Sequence, residues 1–489
     1  MFHISDCKKF NRCKRLFLND QVREKQPFVR FVRLDEAITD LAARKLHVGD
    51  HFLGKRGDDP ALAIQALEQY DWLVKARFEY KDLRVKVPFL QRNGSGWRLY
   101  FLFAGLYPHA DDMQFYCDTV WVLEKNGIEL TDIRMIHLNA DYVRQGNLNT
   151  EELFIVTDKL YNHRNNPTID FAEAIRKSYT ELDGLLEKMK AADLASLPEP
   201  ERKPKCASRQ KCRYYHDCFP DEVREADNSI LHLISSQHRY AMKKEGIGYL
   251  KDADPERIEG FLQQYAQIMA DRNGGLFCDR AALLSWMEDI RYPISFLDFE
   301  WECFAVPPFD GMRPYDVLLF EYSLHILHED GSLDHKVFLS VGDDRESLCR
   351  NLISDIPADG SLIAYNAIGA EMIRIRELAE TFPEFQDELL SLNARMHDLQ
   401  IPFERGVVYD VRMRGQWSLK TIMSMMDDPG YRNLEIAQGM EAVFQWRYLD
   451  REDHTEDLDK IYEDLKAYCS MDTYAMTVVY QWLKNMVKE

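Results

Sequence analysis

The stretch Ile294–Glu302, ISFLDFEWE, constrains this chain most. In a β-strand, side chains two apart share a face. Asp298 and Glu300 therefore point the same way, with Phe296, Leu297 and Phe299 as apolar neighbours. Two carboxylates side by side repel, and each resists leaving water unpaired. Two arrangements accommodate such a strand. It lies at an edge with both acids in solvent, or the acids share one or two hard divalent cations, which take oxygen ligands and suit phosphate chemistry.

A second acidic motif sits near the C-terminus. In DLDKIYEDLKAYCSMDTYAMTVVYQWLKNM, Ile461, Leu465, Met476, Val479 and Leu483 recur at helical spacing. That predicts one or two amphipathic helices. Tyr468 and Asp472 are four apart and share a helix face. Between the two motifs, VLLFEYSLHIL (317–327) and KVFLS predict two further strands after the first, joined by turns such as HEDGS. In the strand 317–327, Phe320, Tyr322 and Leu324 lie on one side, with Glu321, Ser323 and His325 on the other. GDDRESLCRNLISDI predicts a helix with acidic residues at its start, which suits the helix dipole. SLIAYNAIGAEMIRIRELAETF then predicts a short buried strand at 362–365 and a helix opened by Glu371.

A strand with Asp-x-Glu followed much later by a helix with Tyr-x-x-x-Asp resembles the DEDD superfamily of 3′–5′ exonucleases, in the branch with a tyrosine. The resemblance implies an RNase H-like domain over 286–489, with a mixed sheet flanked by helices. Its implied metal ligands are Asp298, Glu300, Glu371 and Asp472, holding two Mg²⁺ or Mn²⁺ ions roughly 3.5–4 Å apart. Tyr468 is implied to position the attacking water. Two departures concern Glu371: the family usually has Asp there, and the gap after Asn366 is five rather than four. Asp398 in ARMHDLQIPF is the rival third ligand. QWSLKTIMSMM (416–426) matches the helix that precedes the family's final motif.

The N-terminal part carries different chemistry. Cys7 and Cys13 lie among Lys8, Lys9, Arg12, Lys14, Arg15 and Arg23, and CASRQKCRYYHDC places Cys206, Cys212 and Cys218 six apart. Zinc sites usually show tighter Cys-x-x-Cys pairs. One distant cysteine plus three clustered ones resembles the iron–sulfur RecB-like nucleases. In these a [4Fe–4S] cluster staples the ends of a PD-(D/E)xK domain, here residues 1–220. The resemblance implies Cys13, Cys206, Cys212 and Cys218 as ligands, with Zn²⁺ or unliganded thiols as alternatives. In that family one strand offers Asp and the next Glu-x-Lys. Here a strand from Leu83 to Leu90 and another from Trp97 to Ala104 carry Pro88, Phe101 and Phe103 at those places. The expected module is therefore a degenerate α/β scaffold. Asp118–Asn126 and 171–190 are expected as helices, and Tyr142 and Arg144 as exposed. Residues 221–285 are expected as a helical connector.

Nearly the whole chain, through RPYD…FEYSLHIL, YNAIGAE, HDLQIPF, GQWSLK and YCSMDTYAM, resembles a bacterial family of unknown function that fuses these two modules. The implied activity is hydrolysis of single-stranded DNA or RNA from a 3′ end. A nucleic-acid-binding scaffold with both modules silent is the alternative. The net charge of −20 is unevenly spread: residues 1–220 sum to +3 and residues 221–489 to −23. Phosphate contacts are thus expected from the first part, because binding follows local patches. No run of 18 apolar residues occurs, so no membrane span is expected. Ten cysteines without a secretion signal point to a reducing cytoplasm, with thiols or metal ligands rather than disulfides.

Overall fold

The alternation read at 294–302 is realised as a strand in a computed structural model of the protein. It describes all residues except 24–31, 207–211, 221–224, 427–429, 434–435, 437–438, 450–456 and 489. About 46% helix and 21% strand, in mixed sheets, make the chain an α/β protein rather than an all-α or all-β one. It divides into two compact units. One comprises Met1–Pro220 with Phe304–Asp316, the other Asp221–Cys303 with Val317–Glu489. Among the described residues, no helix is long and apolar enough to cross a membrane.

The first unit is built on a seven-stranded sheet. Its strands are β1 (Phe2–His3), β2 (His51–Leu53), β3 (Trp72–Tyr80), β4 (Leu83–Asn93), β5 (Gly96–Phe103), β6 (Leu130–Leu138) and β7 (Phe154–Thr157). The order is β2-β3-β4-β5-β6-β7, with β1 beside β4. β3, β4 and β5 run antiparallel. The chain then crosses through the helix Met113–Lys125 to β6, parallel to β5. The helix expected over 171–190 is two, Phe171–Ser178 and Asp183–Lys190.

Tyr142 departs from its expected exposure. It is only 3% exposed, packs in a core with Trp72, Phe89 and Tyr100, and accepts a bond from the Asn149 amide (3.2 Å). An aromatic ring in a polar loop found an apolar slot that the loop's composition hides. Arg144 is half-buried instead of exposed. It donates to the carbonyls of Pro307 (3.0 Å) and Pro308 (2.5 Å), fixing the excursion 304–316 within this unit.

The second unit holds a five-stranded sheet of β8 (Ile294–Cys303), β9 (Val317–Leu327), β10 (Leu333–Leu339), β11 (Ser361–Ala364) and β12 (Met396–Asp398). The order is β10-β9-β8-β11-β12. The first three strands form an antiparallel meander, while β11 and β12 are parallel to β8 and to each other. Four helices matter here: α1 (Glu371–Thr381), α2 (Leu419–Met423), α3 (Gly439–Leu449) and α4 (Leu458–Lys488).

β8 explains the architecture. Its odd face, Leu297 and Phe299, joins a core with Leu348, Leu352, Ile375 and Leu378. Its even face begins with Ile294 and Phe296, which pack with Met476, Val479, Tyr480 and Leu483 of α4. Leu283, Ala266 and Ala270, from the region 221–285, belong to that same core. The C-terminal segment expected as one or two helices is thus a single one of 31 residues.

A polar pin fixes where α4 sits. Thr473 Oγ1 hydrogen-bonds both Ser323 Oγ and His325 Nδ1 of β9, each at 2.7 Å, and all three side chains are buried. Buried hydroxyls left without partners cost free energy. The pin therefore selects one register of α4 along the sheet. Thr473→Val keeps the shape but strips both bonds. It is expected to destabilise the protein by about 1–3 kcal/mol in denaturant unfolding.

Candidate metal centre

The even face of β8 changes character after Phe296. Asp298 and Glu300 follow on that face, and α4 runs past them with Asp472 and Tyr468 one and two turns before Met476. Carboxylate oxygens of Asp298, Glu300 and Asp472 lie within 4.8 Å of one another. Among the described residues they are the one group of three or more potential ligands that converges so closely. A β-bulge between Glu300 and Trp301 ends the regular register beside the cluster; such bulges re-aim side chains next to sites.

Glu371 opens α1 and is 3% exposed, with Oε2 unpartnered. It is not in the 4.8 Å group, but its charge acts on Asp298. The rival Asp398 is occupied. Its Oδ1 accepts from the amides of Asn366 (3.0 Å) and Gln400 (2.9 Å), and its Oδ2 from Ile368 (3.2 Å). Asn366 takes the left-handed conformation, φ 62°, in the turn those bonds fix. Asp398 thus shapes the loop that leads to Glu371.

Burial pushes every acid of the cluster above the usual carboxylate range. For Asp298, burial comes first, then repulsion from Asp472, Glu371 and Glu300. Glu300 is raised by burial and by Asp472 and Glu321, and lowered by Lys420. Asp472 is raised by burial against the hydrogen bond from Tyr431, the charge of Lys420 and the hydrogen bond from Tyr468. Burial lifts Glu371 to about 8. An array of this kind holds protons or cations, since its fully charged form is unstable where the acids are half-buried and crowded together.

Four residues with no spacing signal join the site. The Tyr431 hydroxyl donates to Asp472 Oδ1. Lys420, from α2, donates to the Tyr468 hydroxyl at 3.1 Å. Cys469 Sγ lies 3.8 Å from Asp298 Oδ2. Glu321 pairs with Glu300 across β8 and β9, is wholly buried with both oxygens unpartnered, and is lifted to about 8 mainly by burial. Only Glu321 left a trace in the sequence, the one acid in a mostly apolar strand. The helix expected over 416–426 is short, α2 alone, capped by Ser418, whose hydroxyl accepts from the Thr421 amide.

In the first unit, Cys13, Cys206, Cys212 and Cys218 line one cavity of about 510 Å³. Cys13 sits at the junction of the helices Ile4–Arg12 and Lys14–Val22. Arg12 donates to the Lys205 carbonyl (2.9 Å) and Arg15 to that of Pro198 (2.6 Å), which ties the N-terminal segment to the cysteine loop. The Cys218 thiol is raised by burial, lowered by Arg15 and raised by Cys13, Cys212 and Cys206. No cysteine is in a disulfide among the described residues. Residues 207–211, between the first two of the clustered cysteines, lie outside the described residues.

Pro88 and Phe103 line a separate cavity of about 620 Å³ in the same unit. Phe101 is core, packed edge-on against Phe115, Tyr116 and Phe171.

Residues 295–418 match a protein family described as a domain of unknown function, DUF2779. The match takes in Asp298, Glu300 and Glu371 and ends before Lys420, Tyr468 and Asp472. No curated protein and no solved structure matches the chain.

The raised carboxyls fix a pH dependence. In the unfolded chain Glu321 and Glu371 ionise near 4.5, whereas folded they keep their protons to about 8. Between those values the unfolded state binds fewer protons, so metal-free stability falls as pH rises. His137, His325, His335 and His397, whose pKa values burial lowers, act in the opposite sense below about pH 6.5, so the comparison is made above it: thermal unfolding in EDTA is expected to show a lower midpoint at about pH 8 than at about pH 7. Mn²⁺ is expected to raise the midpoint more at the higher pH, where it displaces fewer protons. A metal-free midpoint that rises over this range contradicts the assignment.

Proposed function

We propose that this protein is a metal-dependent 3′–5′ exonuclease that hydrolyses single-stranded DNA or RNA. The observation that carries this reading is the convergence of Asp298, Glu300 and Asp472 from a strand and a helix far apart in sequence, with Tyr468 one helical turn from Asp472. The three converged acids, with Glu371 close enough to act on Asp298, form an all-oxygen donor set. Such a set fits Mg²⁺ or Mn²⁺. The meander followed by two parallel strands further supports an RNase H-like reading of the second unit.

Two divalent ions held there would lower the pKa of the attacking water and balance charge on the leaving oxygen. The chain's own residues do the rest. Asp298, Glu300 and Asp472 supply the negative charge that draws the cations in, and Glu371 adds to it from the start of α1. The Tyr468 hydroxyl, which accepts a hydrogen bond from Lys420, would orient the attacking water. Tyr431 fixes the Asp472 carboxylate.

For the first unit we propose a degenerate RecB-like module stapled by an iron–sulfur cluster. Four thiols around one cavity, with Arg12, Lys14, Arg15, Lys203 and Lys205 also lining it, suit an anionic thiolate-bound cluster. The silent-scaffold alternative draws on Pro88, Phe101 and Phe103, none of which can bind metal.

Anaerobically purified protein with 5′-labelled single-stranded DNA and RNA and Mn²⁺ tests the reading. A ladder receding from the 3′ end is expected, and it is absent in Asp298→Ala and Asp472→Ala. Cleavage retained in both variants refutes the assignment, and no cleavage by folded wild type favours the scaffold. Separately, Cys206→Ser is expected to lose the brown iron–sulfur absorption and bound iron. Full iron in that variant removes Cys206 from the ligand set.

A further inference from the structure

The hydrolysis proposed above leaves one charge unaccounted for. Two divalent ions bring four positive charges, and Asp298, Glu300, Glu371 and Asp472 bring four negative ones. A phosphodiester adds another negative charge, and its transition state concentrates more on the non-bridging oxygens. A fixed cation beside the metals is the usual physical answer, because it strengthens as that charge develops.

Lys420 occupies such a place. Its ammonium lies 4.7 Å from the centre of the Tyr468 ring and 5.0 Å from that of Tyr431. It also donates to the Tyr468 hydroxyl at 3.1 Å. Cation–ring attraction on two sides and a hydrogen bond hold a flexible side chain in one position. Its charge acts on both Glu300 and Asp472, so it stands where the strand and helix acids meet. Arg374 and Lys466 act elsewhere, on Glu371 and Glu321 respectively. The backbone at Gly439 closes the same corner. A Cβ there would lie 3.8 Å from the Tyr468 hydroxyl and 3.9 Å from Glu300 Oε2.

We propose that Lys420 is a catalytic residue of this reaction, contacting a non-bridging oxygen of the scissile phosphate while remaining protonated. This rests on the exonuclease reading. In the step, a water oxygen bonds to phosphorus as the P–O3′ bond breaks. The electron pair stays on O3′, the water gives up a proton, and O3′ takes one up. The products are a nucleoside 5′-monophosphate and a strand ending in a 3′-hydroxyl. Lys420 exchanges no proton in this sequence; it offsets charge.

The test compares wild type with Lys420→Met, Lys420→Arg, Tyr468→Phe and the Lys420→Met/Tyr468→Phe double variant. Methionine keeps most of the apolar length of the lysine, and thermal unfolding of each variant checks that the fold is retained. Single-turnover cleavage at saturating Mn²⁺ and Mn²⁺ binding without substrate are both measured. Lys420→Met is expected to cut the rate roughly 100-fold or more. Its Mn²⁺ affinity is expected to be unchanged or tighter, because a competing cation has left an acidic site. Lys420→Arg is expected to recover part of the rate. The loss from Lys420→Met is expected to persist in the Tyr468→Phe background. If it vanishes there, Lys420 acts only by holding Tyr468, and the proposal falls. Parallel loss of Mn²⁺ binding and cleavage assigns Lys420 a structural role and also overturns it. Wild type that binds Mn²⁺ but is untouched by Lys420→Met defeats this inference alone. Wild type that neither binds Mn²⁺ nor cleaves defeats the exonuclease reading as well.

Discussion

The second unit is organised around mutual repulsion among half-buried acids that have lost much of their water. Asp298, Glu300 and Asp472 converge, and Glu371 and Glu321 press on them from buried positions. Nothing apolar is gained by placing them there, and removing a carboxylate from water without a partner costs several kcal/mol. The surrounding structure bears that cost. Ile294 and Phe296 dock on the far half of α4, and Thr473 locks the helix to β9. α4 is thereby held against a strand whose next two inward residues are acids. A packed core thus aims charges at one another, and the divalent cations proposed for this site would turn the repulsion into attraction.

The strand and helix halves of this site were legible because both obey a period. Two residues apart on β8 and four apart on α4 are facts of backbone geometry, independent of the rest of the chain. Glu371 was legible as the residue opening a helix after a short buried strand. Its rival Asp398 was separated from it only by hydrogen bonds that no sequence displays. Lys420 and Tyr431 were illegible for a different reason. They approach from a five-residue α-helix and a four-residue 3₁₀ helix, each too short for a period to link a side chain to its partners. Tyr142 shows the limit of composition: polar loop neighbours said nothing of the slot beneath it. The excursion 304–316 belongs to the first unit although it interrupts the second, an arrangement set by long-range packing rather than local pattern.

The first unit repeats the principle with sulfur in place of oxygen. Cys13 stands at a helix junction nearly two hundred positions from Cys206, and arginine-to-carbonyl bonds hold the two segments together. Four thiols face one cavity rather than pairing with one another. Both units therefore keep their reactive groups apart from the apolar cores yet fixed by them. The N-terminal sheet carries Pro88, Phe101 and Phe103, none of which can bind a metal. This leaves the chemistry proposed here to the carboxylates of the second unit.

The most direct test of the central claim is anomalous diffraction from a crystal of the protein soaked in Mn²⁺. Two anomalous peaks are expected, flanked by Asp298, Glu300 and Asp472, with Glu371 turned toward one of them. A crystal in which these carboxylates bind no Mn²⁺, while the protein remains folded, contradicts that claim.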